Sequence, residues 1–594
     1  MRWRARRRAI WACVFLAGIF TIYSARLIYL QVAKNEEYAA LAAKNHTTRI
    51  PIPARRGLIK DRHGEILAAN IPVRKVVADG SIIKNPAALA AVASPWLDIP
   101  EAELAADLET KSKYKVLVHE LAEEKAFALQ KEMAAKNLRG LFFYENTKRT
   151  YPNGPMLCHV LGFLARKDPR DEHVVGVDGI ERSMEQDLAG IDGYRHIERD
   201  RTGKEVVIYR GQEQAPRHGY NVQLTIDMGL QAILEAELEA AYKELKPETA
   251  TGIMVDPKTG EILALANRPC FDPNDLNSSK PEQMINRAIL DMVEPGSTFK
   301  IVVASGAMNE RVVNEKSLIY CENGSFAYGG RILRDHHGYG NMSVAQIIQK
   351  SSNIGSAKMA LMMGEDKYYE YVRRFGFGER TGVELPGEIP GMVHPPARWD
   401  KLTITRMPMG HAIAVTPLQM TMGMAVMANG GRLMKAHIVK SIEDENGNEV
   451  YRARPEVVRE VVPEKVARFL SQALESVVGE GGTAQLARVS GFSVAGKTGT
   501  AQKVDPRGGY ARGKYVVSFV GYMPAEDPRF VCLIMVNDAK IAPNLNYGGL
   551  VAAPIFSRVA EKAARYLDLT PTPKAESILP VALRDTEEKG GYRQ

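Results

Sequence analysis

Cysteine is scarce in this chain: its 594 residues hold five, and Cys13 lies inside the first apolar run. There is no C-x-x-C and no Cys/His cluster at ligand spacing, which argues against zinc modules and dithiol redox motifs, so no metal and no cofactor are expected. Sequence alone does not pair the other four, Cys158, Cys270, Cys321 and Cys532. Charge of one sign is also thin once it is located. The formal net charge is +8, and Arg2, Arg4, Arg6, Arg7 and Arg8 supply five of it before the ninth residue. The small surplus that remains is ordinary solvated surface, which argues against a nucleic-acid partner. Internal repeats are absent, and so are long apolar runs, with one exception.

That exception is residues 9–25, AIWACVFLAGIFTIYSA, without a charge; after Arg26 the run resumes to Leu30. About 22 residues of helix cross a hydrocarbon core of ~30 Å. Arg26 near the far end can snorkel to the headgroups. The five arginines place the N-terminal flank in the cytoplasm. A cleaved signal peptide would have a shorter apolar core and a small-x-small cleavage site, and no convincing one follows. The expectation is an uncleaved single-pass anchor in the cell inner membrane, with everything after Leu30 outside it.

The whole chain is 45% hydrophobic and 25% charged, the balance of a folded protein, and its length calls for two or more domains. Boundaries are expected at residues 1–8 (cytoplasmic tail), 9–30 (membrane helix), 31–218 (pedestal), 219–568 (main domain) and 569–594 (loose tail). In the pedestal, Asp61-Arg62-His63-Gly64 reads as a tight turn. Residues 98–137 read as helical, and two short strands are expected around Arg201-Thr202-Gly203. From Val222 the texture changes. Asp227 or Thr225 is placed to cap a long helix, MGLQAILEAELEAAYKEL, and ATGIMVDPKTGEILALAN reads as two strands joined by the turn at residues 256–260. Helices dominate from Ser297 to Phe377, and strands return at 493–500, 515–521 and 531–536. Helices between early and late strands imply an α+β fold.

Glu294-Pro295-Gly296-Ser297-Thr298-Phe299-Lys300 carries the chemistry. Ser297 falls at a helix start with Lys300 one turn on. A serine hydroxyl needs a neighbouring base, and a lysine serves only if apolar neighbours such as Phe299, Ile301 and Val302 disfavour its charge. Ser-x-x-Lys alone carries little: it recurs as Ser81/Lys84 and Ser112/Lys115, without the Pro-Gly approach or the following apolar helix. Ser351-Ser352-Asn353, between two helical stretches, is a short loop able to aim a hydroxyl and an amide into a cleft. Lys497-Thr498-Gly499-Thr500 follows the apolar Val494-Ala495 and offers a strand edge with a cation, hydroxyls and backbone N–H groups. An earlier Lys258-Thr259-Gly260 is a hairpin turn. The three motifs in this order are the penicilloyl-serine set, with a variant middle member.

Beyond those motifs, the chain resembles class B penicillin-binding proteins, and within them the septal, FtsI-type peptidoglycan DD-transpeptidases. RRGLIKDRHGEILAAN and GVDGIERSMEQDLAGIDG resemble the signatures of the family's pedestal (dimerisation-type) domain. TIDMGLQAILE, NRAILDMVEPGSTFK, TPLQMTMGMAVMANGG, GGTAQLA, VAGKTGTAQK and SFVGYMPAEDPRF follow in family order. The resemblance implies a serine β-lactamase-like domain, an antiparallel sheet with a helical cluster. It implies Ser297 as the acylated nucleophile, Lys300 as base, Ser351 as proton relay and Asn353 as the residue orienting the donor peptide. Lys497, Thr498 and Thr500 would bind the terminal carboxylate, Gly499 would belong to the same substrate-binding segment, and the N–H groups of Ser297 and Thr500 would bind the oxyanion. Implied partners are D-Ala-D-Ala stem peptides, β-lactams, the membrane, a SEDS-type glycosyltransferase and other divisome membrane proteins. Where the family often has Gly-Tyr-Gly, this chain has Gly410-His411-Ala412, and His411 is read as structural. Rival readings are the elongation-specific class B enzyme, a β-lactam sensor acylated without turnover, and a β-lactamase. The anchor and the large first region disfavour the last, and the short cytoplasmic flank disfavours the sensor.

Overall fold

A computed structural model describes residues 2–37, 47–166, 174–199, 205–208, 213–505 and 509–571. Contacts group them into two compact units. One holds the residues up to Arg56 together with Ala189–Gly219, and the other holds Gly57–Leu188 together with the residues from Tyr220 onward.

In the first unit, Arg2–Ile28 is one helix, about 40 Å long at 1.5 Å per residue, continued by a π turn over Tyr29–Ala33. It is long and apolar enough to cross a membrane, and its apolar window is not buried inside the protein. Trp11, Phe15 and Phe20 stand about 70% exposed, a surface that water does not favour and a bilayer does. Thr47–Ile52, Gly193–Arg199 and Glu205–Ile208 form a three-stranded antiparallel sheet. The last two are the strands expected around Arg201-Thr202-Gly203, and that turn itself lies outside the described residues, as does almost all of the expected tail at 569–594.

In the second unit, a seven-stranded sheet runs through the early sequence and reaches late strands. Ile59–Lys60 pairs in parallel with Val222 and Gln223, and Asn221–Leu224 pairs in turn with Val439–Glu443. The Asp61 turn forms as read, its carboxylate accepting the N–H groups of His63 and Glu65, both at 2.8 Å. Residues 98–137 are not continuously helical. Glu101–Leu108 and Glu123–Ala135 are helices, but Lys115–Ala122 is a strand paired with Val73–Ala78. The run KVLVHELA carries β-branched residues and finds an open sheet edge, so tertiary pairing overrides the helix propensity around it.

Further along the same unit Asp227 caps α1 (Met228–Leu245), its Oδ1 accepting Gly229 N–H at 3.0 Å and Leu230 N–H at 3.2 Å. The hairpin β1 (Thr249–Val255) and β2 (Ile262–Arg268) follows, with every residue of both strands buried, so both sheet faces are covered. A 3-10 turn, Gly296–Phe299, leads into α2 (Lys300–Asn309). Eight of the ten residues of α2 are buried, which makes it a core strut and not a surface helix. The small hairpin β3 (Ser325–Tyr328) and β4 (Arg331–Arg334) precedes α3 (Val344–Lys350) and α4 (Asn353–Met363). Then come α5 (Pro417–Ala428), α6 (Glu464–Val478), β5 (Ala495–Val504), β6 (Tyr510–Met523), β7 (Phe530–Asn537) and α7 (Gly548–Tyr566). The five-stranded sheet has the order β2-β1-β7-β6-β5 and is antiparallel throughout, so the late strands close the sheet opened by the early ones and β5 is an edge.

Gly296 sets how the turn before α2 meets that edge. Its φ is +58°, and a Cβ there would stand 3.1 to 3.3 Å from the backbone O, N and C of Thr500. Side chains other than glycine disfavour that backbone region, and the strand edge leaves little room for one. Gly296→Ala should therefore cost about 1–3 kcal/mol of stability, read as a lowered unfolding midpoint; an unchanged midpoint would contradict this packing.

Candidate active site

Four oxygens, from the turn that bears Ser297 and the loop that bears Ser351 and Asn353, meet at one side chain. Lys300 Nζ, on the first residue of α2, lies 2.8 Å from Ser297 Oγ, 2.7 Å from Ser351 O, 2.9 Å from Ser351 Oγ and 2.8 Å from Asn353 Oδ1. Lys300 is 0% exposed, whereas Ser297, Ser351 and Asn353 are half-buried. Ser351 holds its place in the left-handed region, φ +60°, ending α3, so that both its carbonyl and its hydroxyl turn toward the amine. Burial, with the neighbouring Lys497 charge second, pushes the Lys300 amine well below the usual lysine range, while Asp335 pulls the other way. The donor count agrees with a neutral amine. Two of the four oxygens, Ser351 O and Asn353 Oδ1, can only accept, which uses both N–H bonds and leaves the lone pair for a hydroxyl. A buried neutral amine next to a half-exposed serine is what proton abstraction from that serine requires.

Lys497 projects from β5 and is also 0% exposed. Among the described residues its Nζ has one hydrogen-bond contact, Thr498 Oγ1 at a long 3.5 Å. Burial without a counter-charge lowers it to about 7. Thr498 Oγ1 is also 3.2 Å from Thr483 Oγ1. Gly499 pairs with Ser518 across the edge, and Thr500 Oγ1 accepts the Gly548 N–H at the start of α7, 3.2 Å away, which leaves its own hydrogen free to donate. The segment therefore presents an unneutralised cation beside hydroxyls and backbone N–H groups, a receptor for an anion.

All eight residues singled out in the sequence lie on these segments of one unit. The decoys do not join them: Ser81 and Ser112 bond within their own turns, and Lys258 pairs with Asp527. His411 is bonded, as a structural histidine should be, but in a cluster that sequence did not show. Glu294 Oε2 and the Tyr510 hydroxyl each lie 2.9 Å from His411 Nδ1, and Ala412 N–H donates to Glu294 Oε1 at 3.2 Å. Burial and Glu294 push the Tyr510 hydroxyl up to about 12, so it stays a donor. Gly410 rests on the nucleophile turn itself: a Cβ there would meet Gly296 N and O at 2.3 Å. Sequence reading also missed Asp335, which bonds Ser352, Asn353 and Ile354; its only signal was an acid following the β4 segment.

Fold and site together define a serine acyl-transfer enzyme of the penicilloyl-serine class. Residues 250–561 match the penicillin binding protein transpeptidase domain family, and residues 51–224 match the penicillin-binding protein dimerisation domain. The chain is 32% identical over 574 residues to stage V sporulation protein D of Bacillus subtilis, covering 95% of this chain and 86% of that protein. It is 30% identical over 567 residues to the peptidoglycan D,D-transpeptidase FtsI of Escherichia coli, covering 94% and 91%. The crystal structure of penicillin-binding protein 3 of Mycobacterium tuberculosis with aztreonam superposes with a TM-score of 0.68 at 27% identity, over 89% of this chain and 99% of that one. The chain belongs to the class B penicillin-binding proteins, and it is a serine-type enzyme of peptidoglycan synthesis.

The buried cation gives a prediction with a definite sign. With its amine at about 7, Lys497 is mostly neutral at pH 8; a bound carboxylate raises it, and the site takes up a proton. Calorimetry at pH 8 with a carboxylate-bearing β-lactam, run in buffers of different ionisation enthalpy, should show net proton uptake. The uptake should vanish in Lys497→Ala; equal uptake by that variant would contradict the assignment.

Proposed function

We propose that the protein is a septal class B peptidoglycan DD-transpeptidase, held in the inner membrane by residues 9–30 with residues 1–8 in the cytoplasm. Residues 31–218 serve as pedestal and residues 219–568 as transpeptidase domain outside that membrane. The observation that carries the chemistry is the Lys300 amine, buried and within 2.9 Å of four oxygens, one of them Ser297 Oγ.

In the first step Lys300 takes the Ser297 proton as Oγ attacks the carbonyl carbon of the penultimate D-alanine. Charge on the carbonyl oxygen is met by the N–H groups of Ser297 and Thr500. The C–N bond to the terminal D-alanine breaks, and Ser351 passes a proton to the leaving nitrogen. Lys497, Thr498 and Thr500 hold the departing residue's carboxylate, and Asn353 orients the donor peptide with the amide hydrogen that its bond to Arg334 O leaves free. In the second step the amine of a neighbouring stem attacks the ester, Ser297 recovers its proton, and the cross-link is made. β-Lactams stop the cycle at the ester.

The arginine-rich N-terminal flank supports the orientation. Likeness to FtsI and the wording of NRAILDMVEPGSTFK and VAGKTGTAQK support the septal role, with a SEDS-type polymerase as partner. Similarity to a stage V sporulation protein favours, as a second reading, the same chemistry serving sporulation. A fluorescent fusion should collect at mid-cell in dividing cells; label along the sidewall would contradict the septal reading.

Intact-mass measurement after penicillin should show one covalent adduct on the wild type and none on Ser297→Ala; an adduct on the alanine variant would refute the nucleophile. Lys300→Ala should remain folded and acylate about 10²–10⁴ times more slowly. A rate within a few-fold of wild type would remove Lys300 as the base.

A further inference from the structure

Asp335 lies at the end of the β3–β4 hairpin, and its carboxylate is spent on the loop that faces Lys300. Oδ2 accepts the Ser352 hydroxyl at 2.6 Å, and Oδ1 accepts the backbone N–H groups of Asn353 and, at 3.1 Å, Ile354. Ser352 Oγ accepts the Gly355 N–H in turn, at 3.0 Å. The first N–H groups of α4, which have no partner within their own helix, are thus held by a carboxylate from another element. The next carbonyl back along the hairpin, Arg334 O, accepts Asn353 Nδ2 at 3.1 Å. Both ends of the Asn353 side chain are then fixed, one on Arg334 and one on Lys300. Ser351, one residue before this clamp, is kept in its left-handed turn with carbonyl and hydroxyl on the amine.

We propose that Asp335 is a positioning residue for acylation: it clamps the start of α4 so that Ser351 and Asn353 meet the Lys300 amine, and it brings a negative charge to that amine's surroundings. The inference rests on the reading of Ser297 and Lys300 as nucleophile and base. Its charge works against burial and Lys497 at Lys300 and so returns part of that amine's affinity for a proton. The other groups around Asp335 are His336, His337, Cys321, Tyr339 and Lys358. Burial pushes Cys321 and Tyr339 up, so both stay uncharged, and Lys358 is paired with Glu322 at 2.6 Å. Burial lowers His336.

The test is the acylation rate constant of the full-length chain with a fluorescent penicillin, measured against pH. Asp335→Asn should lower the plateau rate at least about tenfold, since an amide cannot accept at both oxygens. It should also move the acidic midpoint to lower pH, because removing the negative charge makes Lys300 easier to deprotonate. The displacement should persist in a His336→Gln, His337→Gln background. A plateau rate within twofold of wild type, or a midpoint that stays put or moves up, would overturn the proposal. Should Asp335→Asn fail to fold, Ser352→Ala cuts one strand of the clamp and leaves the charge; it should slow acylation several-fold with the midpoint unmoved, and an unchanged rate would likewise overturn it. Wild type acylated at Ser297 with normal Asp335 and Ser352 variants sinks this inference alone, whereas wild type that never acylates at Ser297 sinks the reading beneath it.

Discussion

The structure depends on keeping one amine dry. Lys300 has no solvent exposure, and a charged lysine in such a place would carry a desolvation cost of several kcal/mol. The protein answers with oxygens drawn from three positions of the chain and with apolar packing around them. Phe299 stacks edge-on against Phe377 at 4.8 Å, and α2 is buried through Ala307. A water-filled cleft would return the amine to its ordinary range and leave Ser297 without a base. Much of the fold can be understood as the means of excluding that water: a core helix carrying the lysine, a helix–helix loop in a left-handed turn, and a sheet edge pressed against the turn that bears the serine.

A second buried lysine adds its charge to the same site. Lys497 raises the cost of charge at Lys300, and it has no carboxylate partner of its own among the described residues. Two buried amines side by side favour at most one proton between them until an anion arrives. A terminal carboxylate paired with Lys497 would offset the charge that holds Lys300 down and so raise that amine's affinity for a proton. An anion bound at Lys497 would thus be felt at Lys300 as well, which couples the two amines electrostatically.

The parts legible in sequence were those governed by local rules. The cap at Asp227, the hairpin of β1 and β2, the Gly296 turn and the late strands all announce themselves through spacing, turn residues and apolar runs. The candidate site residues were legible because three short motifs stand in a fixed order, and the structure brings Ser297, Lys300, Ser351 and Asn353 together. What stayed hidden was set by pairing across long stretches of chain. The strand Lys115–Ala122 exists because Val73–Ala78 offers it an edge, and Ile59–Lys60 finds Val222 and Gln223 across more than 160 residues. Asp335 and the Glu294–His411–Tyr510 cluster are ordinary polar residues by composition, and only their three-dimensional neighbours give them a task. His411 was read as structural; the structure gives it two polar partners beside the nucleophile turn, including a carboxylate three residues before Ser297.

The central claim is the protonation state of Lys300, and neutron diffraction at neutral pD observes it directly. The account predicts two deuterons on Nζ, directed at Ser351 O and Asn353 Oδ1, with the third tetrahedral direction empty and facing a hydroxyl. Three deuterons on Nζ, one of them pointing at Ser297 Oγ, would contradict it.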